Sequence, residues 1–390
     1  MPSYPTYRGQ TTAEVVVIGG GLTGCATAYA LGASGIAAVV LEAARIGRGA
    51  SGSSSGWLSD DPGVGFADLQ EAIGRRAARR AWSAWHRAGL DFAALLRRLG
   101  VQCRIEPRET VTIAVTPEQA RRLERERRAR RDAGFEAPWL RARAATRAAA
   151  LPAAAAIRTR EGATVDPYRA AIGLAAAASA RGVRIFERSL VRRVTFTRKT
   201  ADVHLAGGSI RTSRVIVATG APTALYPSLR RHFRFRQTYL AMTAPIPAKI
   251  RRSIAPAGLV VRDQAAPPHV VRWVGEDRLL VCGADGEMVP DRSREKVIVQ
   301  RTGQLMYELS TLYPDISGIP PAYGWDAPYA RTADGLPYIG PHRNYPHHLF
   351  AFGDAGHSMT GAYLASRILL RHHRGARHQA DEAFGFRWSD

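Results

Sequence analysis

The sharpest chemical signal in the chain is the run VVVIGGGLTG. Gly19, Gly21 and Gly24 there form a GxGxxG pattern directly after the β-branched residues Val15, Val16, Val17 and Ile18. The first glycine permits a tight turn, the second lets backbone approach a pyrophosphate, and the third lets helix and strand pack closely. Leu22 and Thr23 open the expected helix and join the glycines as cofactor-contact candidates. Glu42 closes a second apolar run, IAAVVLE, 18 residues after Gly24, where a carboxylate can accept from ribose hydroxyls. The next stretch, GRGASGSSSG at 47–56, offers Arg48, Gly49, Ser51, Ser53, Ser54 and Ser55. These supply a guanidinium, hydroxyls and flexible backbone donors within reach of a pyrophosphate and the ring beyond it. NAD and FAD share the glycine fingerprint, and this long loop directly after the ribose carboxylate favours FAD.

These residues need elements to position them. Val15–Ile18 reads as a strand buried on both faces, Leu22–Gly32 as a helix and Ile36–Glu42 as the next strand, a compact βαβ unit. Apolar positions at helical spacing run from Phe66 to Leu99, a strand follows at 110–115, and helices are expected at PEQARRLERERRARRDAG and at Val165–Arg181. A meander ends in a buried strand and Ala218, Thr219 and Gly220, residues 235–325 look β-rich, and the chain closes with strand, turn and long helix at LFAFGDAGHSMTGAYLASRILLRHH. The resulting expectation is an α/β protein. A Rossmann-type FAD-binding domain is assembled from 13–85, 150–225 and 326–380, after a polar lead-in at 1–12, and a second, β-rich α+β substrate domain comes from 86–149 and 226–325.

Composition bounds the rest. The 390 residues, 46% hydrophobic and 23% charged, suit a folded globular protein. The net charge of +22 first points to an anionic partner. All but three of the 55 basic residues (Lys199, Lys249 and Lys296) are arginines spread over nearly every segment among alanine tracts, so the skew reads as compositional. The densest arginine run, at 120–134, places Glu124 and Glu126 four residues before Arg128 and Arg130. That spacing stabilises an exposed helix, and nothing in it resembles a nucleic-acid motif. Cys25, Cys103 and Cys282 have neither zinc-site nor CxxC spacing. With no signal-peptide pattern and no membrane-length apolar run, the expectation is a cytoplasmic protein without a membrane or metal partner.

The chain resembles the D-amino-acid oxidase-like superfamily of FAD-dependent oxidoreductases, the group that includes glycine oxidase and sarcosine oxidase. The matching segments are VVVIGGGLTG, GRGASGSSSG, VDPYRAAIGLAAAASARGVRIFE, RVIVATGA, TADGLPYIG at 332–340 and FGDAGHSMT at 352–360. They fall in order from about residue 13 to 375. The resemblance implies non-covalent FAD, because no cysteine follows Cys282 to serve the covalent attachment known in sarcosine oxidase-like relatives. It also implies hydride transfer from the carbon beside an amine nitrogen, with the imine then hydrolysed and oxygen or another acceptor taking the electrons.

Implied cofactor contacts add Val191, Thr219, Gly220, Gly353, Gly356, His357, Ser358, Met359 and Thr360. A helix starting near Met359 would point its N–H groups at the flavin's pyrimidine edge. Tyr239, Arg272 and Trp273 are candidate substrate contacts, and Tyr329, Arg331 and His357 candidate catalytic residues. In glycine oxidase-like members an arginine that grips the substrate carboxylate stands five residues before the Asp of the DGxP stretch. Counting back from Asp334 gives Tyr329, with Arg331 out of register. An amine without an α-carboxylate therefore stands beside an amino acid as substrate. The alternative is a flavoprotein scaffold without catalysis that acts as a binding partner.

Overall fold

A computed structural model describes residues 3–353, 358–376 and 378–387. Two sheets organise the chain. In the first, the strands Tyr338–His342, Tyr345–Phe352, Gly208–Gly220, Gly9–Ile18, Ala38–Leu41 and Arg184–Phe186 lie side by side in that order. All neighbours pair parallel except the antiparallel edge strand Tyr338–His342. Val15–Ile18 is buried throughout, as a central strand covered on both faces must be. The helices Leu22–Gly32, Pro167–Ser179 and Thr360–His373 pack together over one face. An aromatic cluster of Tyr226, Phe233, Phe350, Phe352 and Phe386 is buried apart from that helical layer.

The second sheet runs in the order Pro321–Arg331, Arg234–Thr243, Arg278–Glu287, Val270–Val274, Leu259–Arg262, Glu106–Ala114, Ala155–Thr164 and Trp57–Leu58. Its pairings are antiparallel except that of Leu259–Arg262 with Glu106–Ala114. The helix Asp291–Leu312 covers the Pro321–Arg331 end, burying Leu305 and Leu309 against Tyr239, Ala241, Val271 and Trp273. This 22-residue helix lies inside the stretch expected to be β-rich. Its β-branched Val297, Ile298 and Val299 favour extended chain locally, and burial of its apolar stripe overrides them.

Several expected boundaries cut through continuous elements. The first strand starts at Gly9, inside the expected lead-in, because its polar N-terminal half pairs with Gly208–Thr212. Ala155–Thr164, placed with the FAD segments from sequence, pairs with Glu106–Ala114 in the second sheet. The helix Arg75–Arg98 spans the boundary at 85/86, and Pro321–Arg331 spans that at 325/326. The apolar periodicity from Phe66 to Leu99 belongs to two helices, which meet at Gly74 with φ +81°.

Candidate functional site

The glycine turn is built as its spacing requires. Gly19 has φ +107°, and a Cβ on Gly24 would stand 1.9 Å from the Gly19 carbonyl oxygen, so only glycine lets the helix approach the strand this closely. Glu42, next after the strand Ala38–Leu41, accepts from the Gly20 and Ala44 N–H groups at 2.7 Å each. The Ser51 hydroxyl accepts from Leu22 N–H at 2.8 Å, folding the serine loop onto the helix start. From this cradle a cavity of about 340 Å³ runs between the two sheets. Leu22, Thr23, Ser51, Ser53, Ser54 and Ser55 line one part, and Thr219, Gly220, Gly353, Ser358 and Met359 the next. Phe235, Thr238, Leu240, Cys282, Ala327 and Tyr329 close it from the second sheet, with Met288 just past the end of the strand Arg278–Glu287. A backbone cradle with no room for a Cβ, leading into an elongated cavity, fits a dinucleotide whose ring lies between the sheets.

Side chains of the second sheet fix the serine loop from behind. Arg272 Nε donates to the Ser55 carbonyl at 2.6 Å and Trp325 Nε1 to the Ser53 carbonyl at 2.9 Å. Burial, with Arg108 nearby, lowers the Arg272 pKa to about 10, and the guanidinium still has carbonyls at Ser55 and Trp273 to satisfy it.

The following segment ties the loop to the C-terminal helix. Met359 N donates to the Trp57 carbonyl at 2.8 Å, Ser59 N to Ser358 Oγ at 3.0 Å, and Thr360 Oγ1 to the Ser59 carbonyl at 2.8 Å. Beneath it lies a buried charge network. Arg262 makes two bonds to Asp61, at 3.0 and 2.9 Å. Arg130 bonds Glu126 at 2.6 Å and stands 3.6 Å from Asp61, while Glu126 accepts from the N–H groups of Phe66 and Ala67. Burial drives the Asp61 carboxyl up, but Arg262 and Arg130 outweigh it and hold the pKa at about 2. Its neighbour Asp60, buried beside that charge, is shifted upward. Within the helix Pro117–Asp132, Glu124–Arg128 lies on the outer face as the spacing predicts, whereas Glu126–Arg130 points inward.

The sequence candidates divide accordingly. Leu22, Thr23, Ser51, Ser53, Ser54, Ser55, Thr219, Gly220, Tyr329, Gly353, Ser358 and Met359 line the cavity. Tyr239 and Trp273 do not: both are buried on the helix-covered face, Tyr239 with Arg301 over its ring and Trp273 bonded to the Ala255 carbonyl. Arg272 holds the loop rather than lining the cavity. Arg331 is exposed at a strand end, and Thr360, the buried first residue of the last helix, donates its N–H to Ser358 Oγ. Arg48 and Gly49 are exposed, and the Val191 side chain lies in the core with Val39 and Leu41. Gly356 and His357 lie outside the described residues.

Sequence reasoning missed Phe235, Thr238, Leu240, Cys282, Trp325 and Ala327. It also missed Asp285, which accepts from the Tyr329 hydroxyl at 2.6 Å. Strand alternation held the relevant signal, since Thr238 and Leu240 flank the misplaced Tyr239.

A glycine-turn parallel sheet joined to a covering mixed sheet, with a cavity between them, defines a flavin-type dinucleotide-binding oxidoreductase fold. The family model described as FAD dependent oxidoreductase (DAO) matches residues 14–371, so the chain belongs to that family and FAD is its cofactor. It is 27% identical over 384 residues to gamma-glutamylputrescine oxidoreductase of Escherichia coli, covering 97% of this chain and 87% of that protein. It is 24% identical over 369 residues to glycine oxidase of Geobacillus kaustophilus, covering 90% and 89%. The crystal structure of glycine oxidase from Geobacillus kaustophilus shares the fold with a TM-score of 0.75 at 20% identity, over 94% of this chain and 96% of that one. L-proline dehydrogenase from P. horikoshii does so at 0.76 and 18%, over 96% and 97%. Among the described residues no helix is long and apolar enough to cross a membrane, and no group of three or more His, Cys, Asp or Glu is placed to hold a metal ion.

Proposed function

We propose that the protein oxidises the C–N bond of a small amine or amino acid. Non-covalent FAD lies along the cavity, and oxygen or another acceptor takes the electrons. The observation that carries this reading is the cavity itself: one continuous space leads from the helix start at Leu22 and Thr23, next to the glycine turn, past the serine loop, to Tyr329 on the second sheet. FAD, when bound, supplies a two-electron acceptor for the hydride on the carbon beside nitrogen, leaving an imine that water hydrolyses.

The chain's own residues bind and orient. The Gly19–Gly24 turn and the Leu22 helix start take the pyrophosphate, Glu42 the ribose, and Ser51–Ser55 the linkage toward the ring. Arg272 and Trp325 hold that loop in register by its carbonyls. The segment Ser358–Thr360, pinned to Trp57 and Ser59, presents the start of the last helix to the ring. Leu240, Phe235 and Ala327 exclude water from the substrate side, and Tyr329 is its polar contact. The first sheet is accordingly the cofactor domain and the second the substrate domain. Three free, buried cysteines support a reducing, cytoplasmic setting.

Purified protein should be yellow, release FAD on acid or heat, and lose its flavin colour anaerobically with an amine or amino acid. A flavin-free preparation that cannot be reconstituted, or bound flavin that no amine or amino acid reduces, would sink the reading.

A further inference from the structure

Two side chains of the second sheet hold the serine loop by its carbonyls, and they differ in charge. Trp325 gives Ser53 a neutral indole N–H at 2.9 Å, whereas Arg272 gives Ser55 a guanidinium N–H at 2.6 Å. Positioning alone asks only for a donor. The guanidinium rises from an apolar layer: Val260 and Leu280 stand directly across from Arg272 on the two neighbouring strands, in one buried cluster with Trp57, Val270 and Cys282. Its other bond goes to a second carbonyl, that of Trp273. Among the described residues no carboxylate stands at ion-pair distance from it, and the acids of its surroundings have cations of their own, Glu106 in Arg108 and Asp166 in Arg169. Burial works against its charge, and Arg108 adds to that. A buried cation held by carbonyls alone stabilises negative charge that appears near it, because attraction in the interior is screened far less than in water.

The cavity lies beyond that layer. Ser55, bonded to Arg272, and Cys282, within its electrostatic reach, both line the space. In the proposed oxidation the C–H bond beside nitrogen breaks and its electron pair leaves with the hydrogen, so the substrate becomes an iminium ion and the ring gains one negative charge. We propose that Arg272 raises the electron affinity of the bound flavin by holding a positive charge behind the serine loop, where it favours negative charge on the reduced ring. This inference rests on the proposed seating of the ring between the two sheets and gives Arg272 a role that loop support does not require.

Sulfite adds to the oxidised ring through its lone pair and leaves negative charge there, so it probes the effect without any substrate. Titrated against FAD-loaded protein by loss of flavin absorbance, its dissociation constant should rise at least about tenfold in Arg272→Gln, which keeps an amide donor for Ser55 and loses the charge. In Arg272→Lys, which keeps the charge and loses the planar fork, the change should stay under about twofold. The midpoint potential of the flavin, followed against a reference dye during reduction, should become more negative in the Gln variant and hold in the Lys variant. Equal changes in the two variants overturn the proposal and leave Arg272 a support of the loop.

Should neither Arg272 variant hold FAD, the charge can be cancelled in place. Leu280→Glu sets a carboxylate directly across from Arg272, where facing side chains on antiparallel strands stand about 5 Å apart at Cβ, and leaves the Ser55 and Trp273 carbonyls their donor. Sulfite should bind this variant about tenfold more weakly than it binds Leu280→Gln. Equal affinity in the two, or a Leu280→Glu protein that takes up no FAD, overturns the proposal. Each of these results leaves the broader function standing wherever wild-type flavin is bleached by an amine or amino acid. Wild-type protein that holds no FAD overturns both.

Discussion

The two halves of the cavity are made of different material. The cofactor half is backbone and small residues: a Gly24 that cannot carry a Cβ, a serine loop, and the Gly220 and Gly353 strand ends. The substrate half is side chains on a sheet face, where Thr238, Leu240, Cys282 and Ala327 point one way and Tyr239, Ala241 and Trp273 the other. Constraints of the first kind are local and absolute, because a missing Cβ has no substitute. Those of the second kind are relative, because a one-residue change of parity exchanges cavity for core.

The largest effect should come from breaking the backbone half. Gly24→Ala places a methyl group 1.9 Å from a backbone carbonyl oxygen, a clash no rotamer relieves and worse than ordinary overpacking of about 1–3 kcal/mol. The ratio of flavin to protein absorbance should fall at least about tenfold. Unchanged FAD content would show that this half tolerates side chains as the other does.

The network beneath the two halves should rank next. Asp61→Leu leaves Arg262 and Arg130 buried without their shared carboxylate. Removing one partner of a buried pair costs about 3–5 kcal/mol, read as a lowered midpoint in urea unfolding. A loss below about 1 kcal/mol would mean that water reaches the guanidinium groups.

Parity itself is tested by a neighbouring pair. Leu240→Trp should fill the substrate half and raise KM about tenfold or more, about 1.4 kcal/mol. Tyr239→Phe, on the covered face, should change KM less than about twofold. The reverse order would place the cavity on the other face of the strand.

The same contrast governs what could be read from sequence. Gly19, Gly21, Gly24, Glu42 and the serine loop are close in the chain, and their chemistry is legible from spacing alone. The choice among Thr238, Tyr239 and Leu240 depends on which face a helix covers, and that helix, Asp291–Leu312, begins more than 50 residues later. A β-rich 235–325 leaves out the element that decides parity, and Tyr239 and Trp273, expected at the substrate, lie on the helix-covered face. Arg272 lies on the correct face, yet its hydrogen bond to Ser55 joins residues 217 apart. Asp285 sits where the pairing of Arg234–Thr243 with Arg278–Glu287 shifts register, an irregularity that no periodicity signals.

The smallest expected effect concerns how the covering helix is held. His269 precedes the strand Val270–Val274 and bonds Asp263 through Nδ1 at 2.7 Å and Glu308, on the helix, through Nε2 at 2.9 Å. Burial opposes the charged ring, but the two carboxylates outweigh it and raise its pKa from 6.5 to about 9. A group whose pKa is raised on folding contributes stability in full below its unfolded value and loses it as pH climbs through the folded one. This anchor is therefore fully formed below about pH 6.5, declines above it, and is spent beyond about pH 9. His269→Gln should cost on the order of 1 kcal/mol near pH 6, given that Glu308 remains partly solvated, and almost nothing near pH 10. Urea unfolding of both proteins at the two pH values checks this. A difference that stays constant with pH would assign the anchor to packing against Gly283, where a Cβ would stand 2.8 Å from the His269 ring, rather than to charge.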